Sequence, residues 1–126
     1  MKHILWVSRH PPTFEQMTLL SQIFKDGVIV TRHDKSVENY KELIEEYTHG
    51  KFDDMVVTLP IELIGKICKA GILPIRAVHR MTGYEPATNL RIYEFMYFER
   101  IYSVSVSRKR MQGASKIGTK DNDKTD

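Results

Sequence analysis

The sequence has no glycine-rich phosphate loop. That removes the usual way in which an α/β protein holds a nucleoside triphosphate or a dinucleotide. Cysteine is almost absent: Cys68 stands alone, which excludes an internal disulfide and fits a reducing compartment. It falls in an apolar helical stretch and reads as a small buried hydrophobe. The five histidines lack the spacing and carboxylate partners of a zinc site, so neither a metal nor another cofactor is implied. No run approaches the roughly 20 apolar residues of a membrane span. Met1-Lys2-His3-Ile4 enters an apolar segment too short for a secretory signal. A cytoplasmic protein without a membrane partner is expected.

Excess charge is also small. The formal net charge is +3 and the pI about 9.0, which permits an anionic partner without demanding one. Position says more than the total. Arg9, Arg32, Arg76 and Arg80 fall at or near expected strand ends, whereas acidic residues concentrate between Glu38 and Glu46. A chain of 126 residues suffices for one domain with a real core and is too short for two.

What is present is a strict alternation of apolar segments. Ile4-Leu5-Trp6-Val7 is an apolar run closed by Ser8-Arg9-His10 and Pro11-Pro12, the pattern of a buried strand and a tight loop. Thr13 with Gln16 three residues on predicts a capping box, and Phe14, Met17, Leu20, Ile23 and Phe24 predict an amphipathic helix to Lys25. Val28-Ile29-Val30 reads as a second strand stopping at Thr31-Arg32-His33. Asp34 or Ser36 is expected to cap a second helix with its stripe at Val37, Tyr40, Leu43, Ile44 and Tyr47. Met55-Val56-Val57 reads as a third strand. Thr58 is expected as cap, with Pro60 in the first turn, for a helix from about Ile61 to Ala70.

A fourth strand, Ile72 to Val78, is expected to end at His79-Arg80, followed by a loop from Met81 to Asn89. Leu90 to Arg108 is rich in aromatic and β-branched residues and reads as one long strand or two, with a helix over Tyr93–Tyr102 as the alternative. Residues 1–111 are expected to form a single Rossmann-like domain: a small, mostly parallel sheet with helices on both faces and an aromatic-rich C-terminal strand or hairpin. Residues 112–126, made of Gly, Ser, Lys, Asp, Thr and similar residues, read as a disordered tail.

The chemistry gathers where strands end. Ser8-Arg9-His10, Thr31-Arg32-His33 and, reversed, His79-Arg80 repeat one set of residue types, and parallel strands present their carboxyl ends on one edge. Arginine offers phosphate oxygens a planar fork at any relevant pH. Histidine changes protonation near neutrality and serves as general acid or base. Ser8, Thr31 and Thr58 add neutral donors. This inventory suits an anionic phosphodiester. Val7-Ser8-Arg9-His10 is also similar to the Arg-His-Gly start of the histidine phosphatases, but Pro11 replaces the glycine.

Two stretches carry a closer resemblance. Val7-Ser8-Arg9-His10-Pro11 and Thr58-Leu59-Pro60, with the helix that runs on to Gly71, resemble the signatures of small type III CRISPR-associated proteins related to CARF domains. The match covers the first seventy-odd residues. It departs in the longer second helix, in Thr31-Arg32-His33 and in the aromatic segment after Asn89. The resemblance implies a CARF-like sheet that binds a cyclic oligoadenylate second messenger, cyclic tetra-adenylate favoured. It also implies a ring nuclease that cleaves its ligand by metal-independent 2′-hydroxyl attack, and a homodimer with no stable DNA partner. Carried onto this sequence, Arg9, His10 and Ser8 are the catalytic candidates. Thr31, Arg32, His33, Thr58, Leu59, Pro60, His79 and Arg80 are the ligand-binding candidates. A sensor or sponge that binds without cutting uses the same edge. An RNA- or protein-binding module would instead work through the aromatic stripe from Tyr93 to Tyr102.

Overall fold

Ile4-Leu5-Trp6-Val7 is apolar without interruption because the strand that holds it is covered on both faces. In the computed structural model, which describes residues 1–33, 35–105, 109 and 111, this strand is β1 (Lys2–Val7). There follow α1 (Phe14–Ile23), β2 (Val28–His33), α2 (Tyr40–His49), β3 (Asp54–Val57), α3 (Ile61–Lys69), β4 (Ile75–Tyr84) and β5 (Arg91–Arg100). The strands form one sheet in the order β2-β1-β3-β4-β5. The first four are parallel and β5 runs antiparallel to β4. The α/β class and the mostly parallel sheet are as the alternation predicts.

Successive side chains of a strand point to opposite faces, and this divides the core in two. Ile4 and Trp6 pack with Leu20 of α1 and with Val56, Ile75 and Ala77. Leu5 and Val7 pack with Leu43 of α2, Ile64 and Ile67 of α3, and Met55 and Val57. Each such fully buried side chain contributes roughly 1.5–3 kcal/mol relative to exposure. The step from β1 to β2 crosses the sheet one way, and the step from β2 to β3 returns past β1 the other way. Right-handed crossovers then place α1 on one face and α2 with α3 on the other. A crevice is left outside the carboxyl ends of β1 and β3, where the direction reverses.

Local boundaries show where tertiary context decides. The capping box forms: Thr13 Oγ1 accepts from Gln16 N at 3.1 Å, and Gln16 Oε1 accepts from Thr13 N at 2.9 Å. Phe14, expected on the apolar stripe, is 88% exposed, and Gln16 takes a buried place instead. The cap of α2 is Asn39, whose Oδ1 accepts from Lys41 N at 2.9 Å, rather than Ser36. The other expected cap, Asp34, lies outside the described residues. Thr58 does not cap α3: Pro60 is the N-cap, and Thr58 continues the line of β3 with its N–H donating to Val7 O at 2.9 Å.

The largest departure is β4. It begins after Pro74 rather than at Ile72 and runs to Tyr84, through much of the segment expected to be a loop. Gly83 is not a breaker there; it sits at a register shift in the β4–β5 ladder. The turn is confined to residues 85–90, where Asn89 takes a φ of 58° and Glu85 N donates to Leu90 O at 2.7 Å. The aromatic segment supplies β5, a single strand and not a helix. After it, Ile101 and Val104 fold back onto the α2–α3 side of the core. Residues 106–108 and the tail expected at 112–126 lie outside the described residues. Among the described residues, no helix is long and apolar enough to cross a membrane.

Candidate functional site

Val7 is in register with both Val57 and His33, so the sheet edge is level across β2, β1 and β3. Ser8 and Thr58 are the first residues beyond that edge on adjacent strands. The Thr58 N to Val7 O bond keeps them side by side, about 4.8 Å apart as neighbouring strands lie. They form a ridge at the point where the crossover direction reverses, and both residues line a cleft on either side of it.

The larger cleft, about 670 Å³, is lined by Trp6, Ser8, His10, Thr58, Leu59, Arg76, Ala77, His79, Tyr93 and Phe95, among others. The smaller, about 500 Å³, is lined by Ser8, Arg9, Lys35, Ser36, Thr58, Leu59, Pro60 and Leu63. The loop between β1 and α1 is closed by His10 N donating to Ser8 Oγ at 3.4 Å and is tied to the sheet by two further bonds. Trp6 Nε1 donates to His10 O at 2.7 Å, and Arg32 donates to Arg9 O at 3.2 Å. The buried indole thus fixes the backbone that presents His10. The first turn of α3 has no side-chain cap and opens beside the smaller cleft. The positive end of the helix dipole therefore adds to Arg9 and Lys35 there.

The sequence candidates separate into three groups. Ser8, His10, Thr58, Leu59 and His79 meet in the larger cleft; Ser8, Arg9, Thr58, Leu59 and Pro60 meet in the smaller. Thr31, Arg32 and His33 do not repeat the geometry of Ser8-Arg9-His10, because they lie within β2 and not after it. Thr31 is level with Leu5, two residues inside the edge. Arg32 braces Arg9, and His33 on the opposite face pairs with Glu46 of α2. Arg80 is bonded to Glu94 at 3.1 Å and lines neither cleft.

His79 and Arg80 are also not at the strand end. Arg76 is level with Val57, so His79 stands three residues further out, about 10 Å at roughly 3.3 Å per residue. The basic residue of β4 that is level with the sheet edge is Arg76, near the start of that strand, which lines the larger cleft with Glu99 Oε2 at 3.3 Å. Sequence reasoning placed Arg76 in the basic rim but not among the site residues. Lys35 and Ser36 were missed as lining residues, and Tyr93 and Phe95 entered only through the aromatic stripe of the alternative reading. Tyr93 and Phe95 stand two residues apart in the aromatic segment, so both face one side once the strand is recognised. Among the described residues, no group of three His, Cys, Asp or Glu side chains could hold a metal ion. Comparison of the chain with protein-family models, curated proteins and solved structures returns no match.

Proposed function

We propose that this protein binds a cyclic oligoadenylate, the tetramer by preference, and cuts it without metal, as a ring nuclease on a small Rossmann-like, CARF-related sheet. One observation carries the reading: Ser8 and Thr58 form a donor ridge between two clefts. A phosphodiester has a nucleoside on each side, and a ridge flanked by two clefts is the shape that accepts it. Arg9 and Lys35 on one side and Arg76 on the other supply positive charge for the backbone. The two stretches that resemble the CRISPR-associated family are the two that build the ridge.

In this reading a ribose 2′-hydroxyl of the ligand attacks the adjacent phosphorus. The bond from phosphorus to the 5′-oxygen breaks, leaving a 2′,3′-cyclic phosphate and a 5′-hydroxyl. One imidazole takes the 2′-hydroxyl proton and another group returns a proton to the leaving oxygen; His10 and His79 share the larger cleft. Ser8, Thr58 and the cations hold the phosphate in line and offset the charge that grows on it. A homodimer belongs to the same proposal, because a symmetric ring matches a site on a two-fold axis.

A second reading, binding without cleavage, is favoured by one feature: Arg9 and His10 open into different clefts. Incubation with labelled cyclic tetra- and hexa-adenylate in the presence of a chelator separates the two. The proposal expects linear products that disappear in Arg9→Ala and His10→Ala. Tight binding with no product supports sequestration, and no binding of either ring overturns both.

A further inference from the structure

The larger cleft has two chemically different ends. Its inner end is polar, with Ser8, His10, Thr58 and Arg76 at the level of the sheet edge; its outer end is aromatic, with His79, Phe95 and Tyr93. The outer end is built by the part of β4 and β5 that runs beyond the other strands. There His79 pairs with Phe95 and Met81 with Tyr93. We propose that this aromatic end is a stacking platform for a purine base, taking one base of a nucleotide whose phosphate lies at the Ser8–Thr58 ridge. The inference rests on the nucleotide reading of that ridge and adds the base-selecting side of the site.

Three observations support it. Tyr93 is 57% exposed while lining the cleft, so its ring is open to a ligand and buries little within the protein. Behind it the rings are braced in a chain. The Phe95 centroid lies 5.7 Å from His79 and 4.9 Å from Phe98, and Phe98 stands edge-on to buried Trp6 at 6.4 Å. The Phe95–His79 part of the platform is thereby fixed to the core rather than carried on a loose hairpin. Finally, along the strands the His79–Phe95 pair stands two residues beyond the ridge, about 7 Å and near the span from a nucleotide's phosphate to its base, and Tyr93, paired with Met81, continues the platform two residues further out. Aromatic stacking is strongest for the larger purine rings and tolerates sequence otherwise.

Each stacked base is worth roughly 5- to 140-fold in affinity by aromatic truncation. The test is a fluorescence titration read on Trp6, the only tryptophan, with linear tetra-adenylate and tetra-uridylate of equal charge. Wild type is expected to bind the adenylate at least 5-fold more tightly, Tyr93→Leu to lose that preference, and Tyr93→Phe to keep it. Equal affinity for the two tetramers in wild type, an unchanged preference in Tyr93→Leu, or no binding of either tetramer overturns the platform. Its failure is separable from that of the ring-binding reading. If cyclic tetra-adenylate still binds and is cut by Tyr93→Leu with wild-type affinity, only the platform falls. If wild type binds no ring, the ring-binding reading falls as well.

Discussion

Removing the Arg100 guanidinium should cost more stability than its surface position implies. Arg100 reaches from the end of β5 to the start of β3. It holds Asp54 by two bonds of 2.8 Å and donates a third, of 2.7 Å, to Leu73 O. The hydrogen bond to Asp54 is the main reason its pKa rises above the ordinary arginine value. The Asp54 side chain is only 12% exposed, so Arg100→Leu leaves a carboxylate with little water and only the Met55 N–H at 2.9 Å as partner. Breaking a fully buried pair costs about 3–5 kcal/mol. The Arg100 side chain is 34% exposed, and screening lowers the expected loss to about 2–3 kcal/mol. At roughly 4 °C per kcal/mol for a chain of this size, the melting temperature should fall by about 8–12 °C. Thermal unfolding by circular dichroism at pH 7 measures it. The double variant Arg100→Leu, Asp54→Leu should recover most of the loss, because no charge is then stranded. A single variant that melts like wild type, or a double variant no better than the single, refutes the reasoning.

Other outcomes follow from single contacts. Thr13→Ala removes one half of the capping box and should destabilise by about 1 kcal/mol in denaturant unfolding. Trp6→Phe keeps a buried ring but strands the His10 carbonyl; it should cost about 1–3 kcal/mol and reduce ring cleavage beyond what its residual fold predicts. Burial raises the Cys68 thiol above its ordinary value of 9.0, so the folded chain keeps that proton longer than the unfolded one. Its contribution is complete below pH 9 and fades as pH rises through the folded value; Cys68→Ala should therefore flatten the loss of stability above pH 9.

The residues that announced the fold are those whose pattern is local. Ile4–Val7 and Met55–Val57 are apolar on both faces, and the Thr13–Gln16 box closes on itself, so strand and helix were legible there without knowledge of neighbours. Thr58 was legible as a residue at the end of a strand but not as an extension of it, because only the bond to Val7 O fixes its place. The β4–β5 hairpin was the least legible part. Gly83, Pro86 and Asn89 carry turn chemistry, yet Met81, Gly83 and Tyr84 of the supposed loop pair with Tyr93, Ile92 and Arg91 in a ladder. Thr31-Arg32-His33 misled in a different way. Its residue types match Ser8-Arg9-His10, but inside a strand alternation sends Arg32 and His33 to opposite faces, whereas the loop residues after β1 are free of that constraint. Likeness of composition did not carry likeness of position.

The most direct test of the two-cleft ridge is an amide NMR titration with cyclic tetra-adenylate methylated at its 2′-oxygens, which allows binding and blocks the attack. The account predicts simultaneous shifts at Ser8–His10, Lys35–Val37, Thr58–Leu63 and His79–Phe95. Shifts confined to one cleft, or centred on α1 or the Asp54–Arg100 end of the sheet, would contradict it.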